Sequence, residues 1–152
     1  MDTLETRIAL RELVDRYAAG ADRRRAREMA DMFVEGGELT IRSPGDRPPA
    51  VYRGRETIRQ AMDGLNVFRV TSHQVHNQLL DFRGDAVTGE TYCTAHHVYD
   101  TPDGPRMFVM SIRYHDTFAW QGGRWSFAAR DLHVDWTEDR PMSLDPAPAR
   151  PA

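Results

Sequence analysis

Apolar residues recur at Ile8, Leu10, Leu13, Val14, Tyr17, Ala18 and Ala21. That spacing is the period of a helix with one face turned inward. Asp2, followed three residues later by Glu5, resembles a capping box that would start it. A second, short helix is predicted from about Arg25 to Phe33, burying Met29, Met32 and Phe33, with Gly36-Gly37 as its stop. Residues 38–42 read as a strand, and residues 43–50, rich in proline and glycine, as a loop. A third helix is predicted after Tyr52-Arg53-Gly54-Arg55-Glu56, with Ile58, Ala61, Met62 and Leu65 inward.

Beyond residue 70 the pattern changes. Residues 71–82, 86–99, 106–120 and 124–135 each mix β-branched or aromatic residues with polar ones. The breaks between them are turn-like: Arg83-Gly84-Asp85, Pro102-Asp103-Gly104 and Gln121-Gly122-Gly123. Helices first and a long strand meander last predict an α+β domain, a curved antiparallel sheet wrapped around N-terminal helices in a cone-shaped barrel. The boundaries read as one domain over residues 1–140 and a flexible proline- and alanine-rich tail over 141–152.

Strand side chains alternate between faces. On that period His73, Val75, Asn77 and Leu79 share a face, and His76 points away. In the next strand Glu90, Tyr92, Thr94, His96 and Val98 share one face, and Cys93, Ala95, His97 and Tyr99 the other. Polar groups on the enclosed face of a curved sheet need partners, because each one left unpaired costs about 1–3 kcal/mol. Several of them in one row point to a site. Asp22 is a second anomaly, since it follows the apolar run Tyr17, Ala18, Ala21 and precedes three arginines. It reads either as the N-cap of the second helix or as a carboxylate turned into a pocket to orient a histidine. Arg23, Arg24 and Arg25 read as a solvated helix start, or as an anion site.

Composition narrows the chemistry. The chain has 152 residues, of which 40% are hydrophobic, enough for one packed core. A net charge of −3 and a pI near 6.1 give no reason to expect nucleic acid or an anionic membrane as partner. All 20 basic residues are arginine, so Schiff-base chemistry and a Walker-type lysine are excluded. Neither GxGxxG nor GxSxG occurs. The single cysteine, Cys93, allows no internal disulfide and suits a reducing cytoplasm. Residues 1–6 carry two acids and no apolar run, unlike a signal peptide, and no apolar stretch approaches membrane-spanning length. Among the six histidines, His115 and His133 read as ordinary hydrogen-bonded residues. The pairs His73/His76 and His96/His97 split across strand faces, which opposes chelation by neighbours. A cross-strand metal site of His73, His96 and Asp22 is the alternative, and metal independence is the expectation.

The segments IALRELVDRYAAGADRRRAREMADMF, YRGRETIRQAM, VTSHQVHNQLL, GDAVTGETYCTAHHVYD and RYHDTFAWQGGRWSFAARDLHVDW carry a resemblance over residues 4–136. Together they resemble the SnoaL-like branch of the nuclear transport factor two superfamily. Within it the pattern is similar to scytalone dehydratase, bile-acid 7α-dehydratase and hexachlorocyclohexane dehydrochlorinase. The resemblance implies an Asp22–His73 catalytic pair, with Tyr17, His96 and Arg130 as substrate-binding residues; the polar strand rows add Tyr92 and Asn77 to that set. Two departures stand out: Tyr17 replaces the dehydrochlorinase's lysine, and Arg25 replaces the aspartate common after the DRR run.

The expected function is that of a cofactor-free lyase, a dehydratase or dehydrohalogenase acting on a small hydrophobic, cyclic molecule. Isomerase, cyclase or epoxide hydrolase chemistry on the same scaffold, and a non-catalytic small-molecule-binding module, are the alternatives. The resemblance also implies a homotrimer, or else a dimer, through the outer sheet face. Tyr99, Phe108, Met110 and Ile112 are the apolar candidates for that face.

Overall fold

A computed structural model describes residues 3–84 and 86–143. Helix α1 spans Leu4–Asp22, α2 spans Ala26–Asp31 and α3 spans Arg55–Asp63, followed by a 3-10 turn over Gly64–Val67. The strands are β1 (Phe33–Arg42), β2 (Ala50–Arg53), β3 (Val70–Arg83), β4 (Ala86–Thr101), β5 (Gly104–Gln121) and β6 (Arg124–Pro141). They form one six-stranded sheet in the order β2-β1-β6-β5-β4-β3. The α+β class and the helices-inside-a-curved-sheet layout match the sequence reading, with two refinements. The sheet is open, with β2 and β3 as its edges, and it is mixed, because β1 pairs parallel to β6.

Local chemistry explains the element ends. Thr3 caps α1, its side-chain oxygen accepting from the Thr6 amide at 3.1 Å. The Asp2 half of the expected capping box lies outside the described residues, as do residues 144–152 of the expected tail. The second helix is shorter than expected. Phe33 already belongs to β1, which runs through Gly36-Gly37 with a register shift between Phe33 and Glu38. Gly122 and Gly123, at φ 60° and 77°, turn β5 into β6, as a two-residue hairpin with right-handed strand twist requires.

Helix α1 buries Leu10, Leu13, Val14, Tyr17, Ala18 and Ala21 against Phe33, Leu39, Val87, Phe118 and Phe127 of the sheet. Ile8, placed inward by its spacing, is instead 57% exposed. At the centre of this core sits a charged pair. Arg130 on β6 and Asp116 on β5 are register partners, joined by two hydrogen bonds of 2.7 and 2.8 Å, with no solvent exposure of either side chain. The guanidinium carbon lies 4.1 Å from the ring centres of Tyr114 and Phe127 and 4.3 Å from that of Tyr17. Three aromatic faces and a bidentate carboxylate together offset much of what burying the cation costs.

Asp116→Ala leaves that cation unpaired and should cost about 3–5 kcal/mol of unfolding free energy, measured by urea titration. The double variant Asp116→Leu, Arg130→Met should cost much less, because it removes both charges at similar volume.

Candidate active site

The Asp22 carboxylate sits on the last residue of α1. It is not the N-cap of α2, which begins after Arg25 with no side-chain cap. Asp22 reaches across to β3 instead. Its Oδ1 lies 2.7 Å from His73 Nδ1 and accepts from the Thr71 hydroxyl at 3.0 Å; its Oδ2 accepts from the His73 backbone N–H at 3.0 Å. A carboxylate only accepts, so His73 Nδ1 carries a proton, and in the neutral ring Nε2 is the nitrogen with the lone pair. The His73 side chain is 7% exposed and that of Asp22 29%. Burial alone would raise the Asp22 carboxyl, but the hydrogen bonds from the His73 ring, the His73 amide and Thr71 outweigh it and hold the group below the usual carboxylate range.

Thr71, His73 and Val75 face the helices, opposite His97, Ala95 and Cys93 of β4. The inward row of β4 is therefore the odd-numbered one. His97, 1% exposed, lies edge-on to His73 with ring centres 5.2 Å apart and packs tilted, at 53°, against the Phe68 ring at 4.6 Å. Its Nδ1 is buried with no hydrogen-bond partner among the described residues. Burial, then the charges of His73 and Arg24, lower its pKa from the usual 6.5 to about 4. It is a neutral polar neighbour of the Asp22–His73 pair that the sequence reading placed on the wrong side.

The other expected site residues are not gathered here. His96 and Tyr92 belong to the even row, on the outer face of the sheet. A one-residue register shift between Val75 and Gln78 reverses the parity of β3, so Asn77 is exposed at the irregularity and Leu79 points outward, 64% exposed. With His96 outside, the alternative His73–His96–Asp22 metal set is not assembled. Arg130 is spent on Asp116 and touches neither Asp22 nor solvent. Tyr17 is buried; its hydroxyl donates to Met62 Sδ at 3.4 Å, and burial pushes its pKa up to about 12. Phe108, Met110 and Ile112, expected on the outer face, pair with His97, Ala95 and Cys93 and so line the inner one.

The pair borders an open cleft of about 290 Å³ between α1 and β3, walled by Asp15, Ala18, Ala19, Arg23 and Val75. A larger groove of about 600 Å³ crosses the outer sheet face past Glu38, Arg42, Glu90, His115 and Asp131. Its acids are already engaged: Asp131 with Arg42 at 2.9 Å and Glu38 with Arg53 at 2.7 Å. It holds no base oriented by a buried carboxylate. Size favours the groove and chemistry favours the cleft, and chemistry decides where a reaction would run.

The sequence profile of the SnoaL-like domain matches residues 2–131. Among curated proteins, none matches this sequence. Among solved structures, a scytalone dehydratase-like protein of Novosphingobium aromaticivorans is 24% identical, with TM-score 0.77 over 98% of this chain and 97% of that one. A hexachlorocyclohexane dehydrochlorinase of Novosphingobium barchaimii is 18% identical, with TM-score 0.77 over 95% and 97%. A protein of unknown function from Mycobacterium tuberculosis is 26% identical, with TM-score 0.69 over 84% and 70%. No helix of the described residues is long and apolar enough to cross a membrane.

The His97 environment has a pH signature. Its folded pKa near 4 lies below the usual 6.5. Between those values the unfolded chain binds a proton that the folded one refuses. Stability should therefore fall as pH drops from 6.5 to 4 through this residue, by on the order of 2–3 kcal/mol. Asp22 has the depressed carboxylate pattern, so its contribution persists through this window and is lost only below it, as pH falls through its folded pKa. Urea midpoints measured against pH should slope less steeply in His97→Gln than in the parent across pH 4–6.5.

Proposed function

The chain belongs to the SnoaL-like domain family, and from that premise we propose that it is a cofactor-free lyase, removing water or hydrogen halide from a small hydrophobic, cyclic substrate. The observation that carries this reading is the 2.7 Å contact between Asp22 Oδ1 and His73 Nδ1. It fixes the tautomer that leaves Nε2 as a base beside a cleft with apolar walls at Ala18, Ala19 and Val75. The likeness to a dehydrochlorinase and a scytalone dehydratase-like protein is consistent with elimination and adds nothing about the substrate.

The chemistry balances with these residues alone. His73 Nε2 takes a proton from carbon; the C–H electron pair becomes the new double bond; the leaving group departs with its own pair. A halide leaves as the anion. A hydroxyl leaves as water once the imidazolium returns its proton. Asp22 stabilises that imidazolium without itself being protonated. General base catalysis of this kind contributes about 10²–10⁴-fold. Tyr17 takes no part, because its hydroxyl is engaged with Met62. His97, neutral near pH 7, offers a polar ring beside the base.

Screening β-hydroxy carbonyl and halogenated cyclic compounds by mass spectrometry tests the reaction class. Loss of water or hydrogen halide supports elimination, and unchanged mass with an altered structure would point to isomerisation. On an active compound, Asp22→Asn should lower turnover by about 10²–10⁴-fold with little change in melting temperature. Combining it with His73→Ala should add little to either single loss, since residues acting as a unit are non-additive. An Asp22→Asn protein that is destabilised yet fully active would remove the catalytic reading.

Association of identical copies through the outer sheet face is part of the same proposal, as a trimer or else a dimer. Tyr92 and Trp136, 37% and 53% exposed, replace the residues first expected there. Light scattering at micromolar concentration should return a multiple of 17.4 kDa; a monomeric mass contradicts it.

A further inference from the structure

Within the arginine run after Asp22, Arg24 makes contacts that neither sequence reading of the run contained. Helix α1 ends in a Schellman turn: Arg25 N–H donates to Gly20 C=O at 2.9 Å and Arg24 N–H to Ala21 C=O at 3.3 Å. Arg24 occupies the left-handed position of that turn, with φ 58°, and is the sole non-glycine residue with positive φ among the described residues. Glycine is the ordinary residue there. An arginine persists in a disfavoured conformation only when its surroundings hold it.

Its side chain shows what holds it. Nη1 donates to Ala21 C=O and to the Thr71 hydroxyl, each at 2.7 Å, and Nη2 donates to Phe68 C=O at 3.1 Å. One guanidinium thus joins the end of α1, the residue after the 3-10 turn and the start of β3. The direction of these bonds matters. A guanidinium can only donate, so the Thr71 oxygen accepts from Arg24 and its hydrogen is turned elsewhere. The acceptor for that hydrogen is Asp22 Oδ1 at 3.0 Å, the same oxygen that faces His73 Nδ1.

A carboxylate on the last turn of a helix sits at the negative end of the macrodipole, where an anion is disfavoured. Arg24 places a cation at those carbonyls and sends an oriented hydroxyl to the carboxylate. We propose that Arg24 is the positioning residue of the Asp22–His73 pair, acting through the Thr71 hydroxyl to hold Asp22 Oδ1 on His73 Nδ1. The proposal rests on the lyase reading for its consequence in turnover, but its geometry can be read without any substrate.

The experiment is ¹H–¹⁵N NMR of the imidazole rings in the ligand-free protein, comparing Arg24→Gly, Thr71→Val and Thr71→Ser. Glycine relieves the positive φ while removing the guanidinium, and valine keeps the shape of threonine without its hydroxyl. The parent should show His73 protonated on Nδ1, with a downfield, slowly exchanging N–H. In Arg24→Gly and Thr71→Val that proton should exchange about ten-fold faster, or the tautomer should become mixed, as expected for losing one charge-assisted hydrogen bond. Thr71→Ser should restore the parent signal. On a turned-over compound kcat should fall about ten-fold with KM little changed, the mark of lost transition-state alignment.

An unchanged His73 Nδ1–H in both Arg24→Gly and Thr71→Val overturns the proposal, as does a serine variant that behaves like valine. If Arg24→Gly fails to fold, the valine and serine pair still decides. Failure of the lyase reading is separate: it would show as a fully active Asp22→Asn protein, whatever the ring signals do.

Discussion

A fully buried cation constrains the rest of this molecule. Arg130 has no exposure, so its charge must be answered inside the core by Asp116 and by the faces of Tyr17, Tyr114 and Phe127. Two of those rings and the carboxylate come from β5 and β6; Tyr17 comes from α1. The ring of Tyr17 therefore registers the helix against the sheet: it packs edge-on to Phe127 at 5.8 Å and to Tyr114 at 6.2 Å. Turning α1 about its axis would withdraw one face of the cage. With that rotation fixed, the end of α1 directs Asp22 toward β3.

Asp22 then meets a local opposition that the fold resolves at several points. The helix end disfavours its charge, and partial burial raises its pKa. Against this act the His73 ring, the His73 amide and the Thr71 hydroxyl, all from the first residues of β3. Gly20 contributes sterically. A Cβ there would stand 2.7 Å from Met29 Cγ, so glycine lets α2 fold back closely enough for the tight turn that carries Arg24. The arrangement is pre-organised in the sense useful for a base: tautomer, orientation and charge are set before a substrate arrives.

Much of this was legible in the sequence, and the misses have physical causes. The helical period of residues 8–21 and the turn residues at 102–104 and 121–123 located the elements. The conflict between a polar Asp22 and its apolar neighbours marked one half of the pair, and the face shared by His73 and Val75 marked the other. Three things were hidden. The register shift after Val75 inverts the face of β3, and nothing in the alternation of Asn77 and Leu79 signals where a strand gains a residue. In β4 the polar even row was taken as inward. The more apolar odd row, Val87, Cys93 and Ala95, was the available clue that His97 rather than His96 faces the helices. The partner of Arg130 was undetectable because Asp116 belongs to a different strand, and register is set by the whole sheet.

In the proposed reaction one atom, His73 Nε2, removes a proton from carbon while Asp22 holds the ring. The most direct test follows that proton. A compound that the protein turns over, or its analogue lacking the leaving group, is incubated in D2O and its C–H positions are read by mass spectrometry and NMR. Protein-dependent deuterium incorporation at the single carbon adjacent to the activating group, abolished by His73→Ala and nearly abolished by Asp22→Asn, is the predicted result. Incorporation at the same rate in His73→Ala would contradict the account.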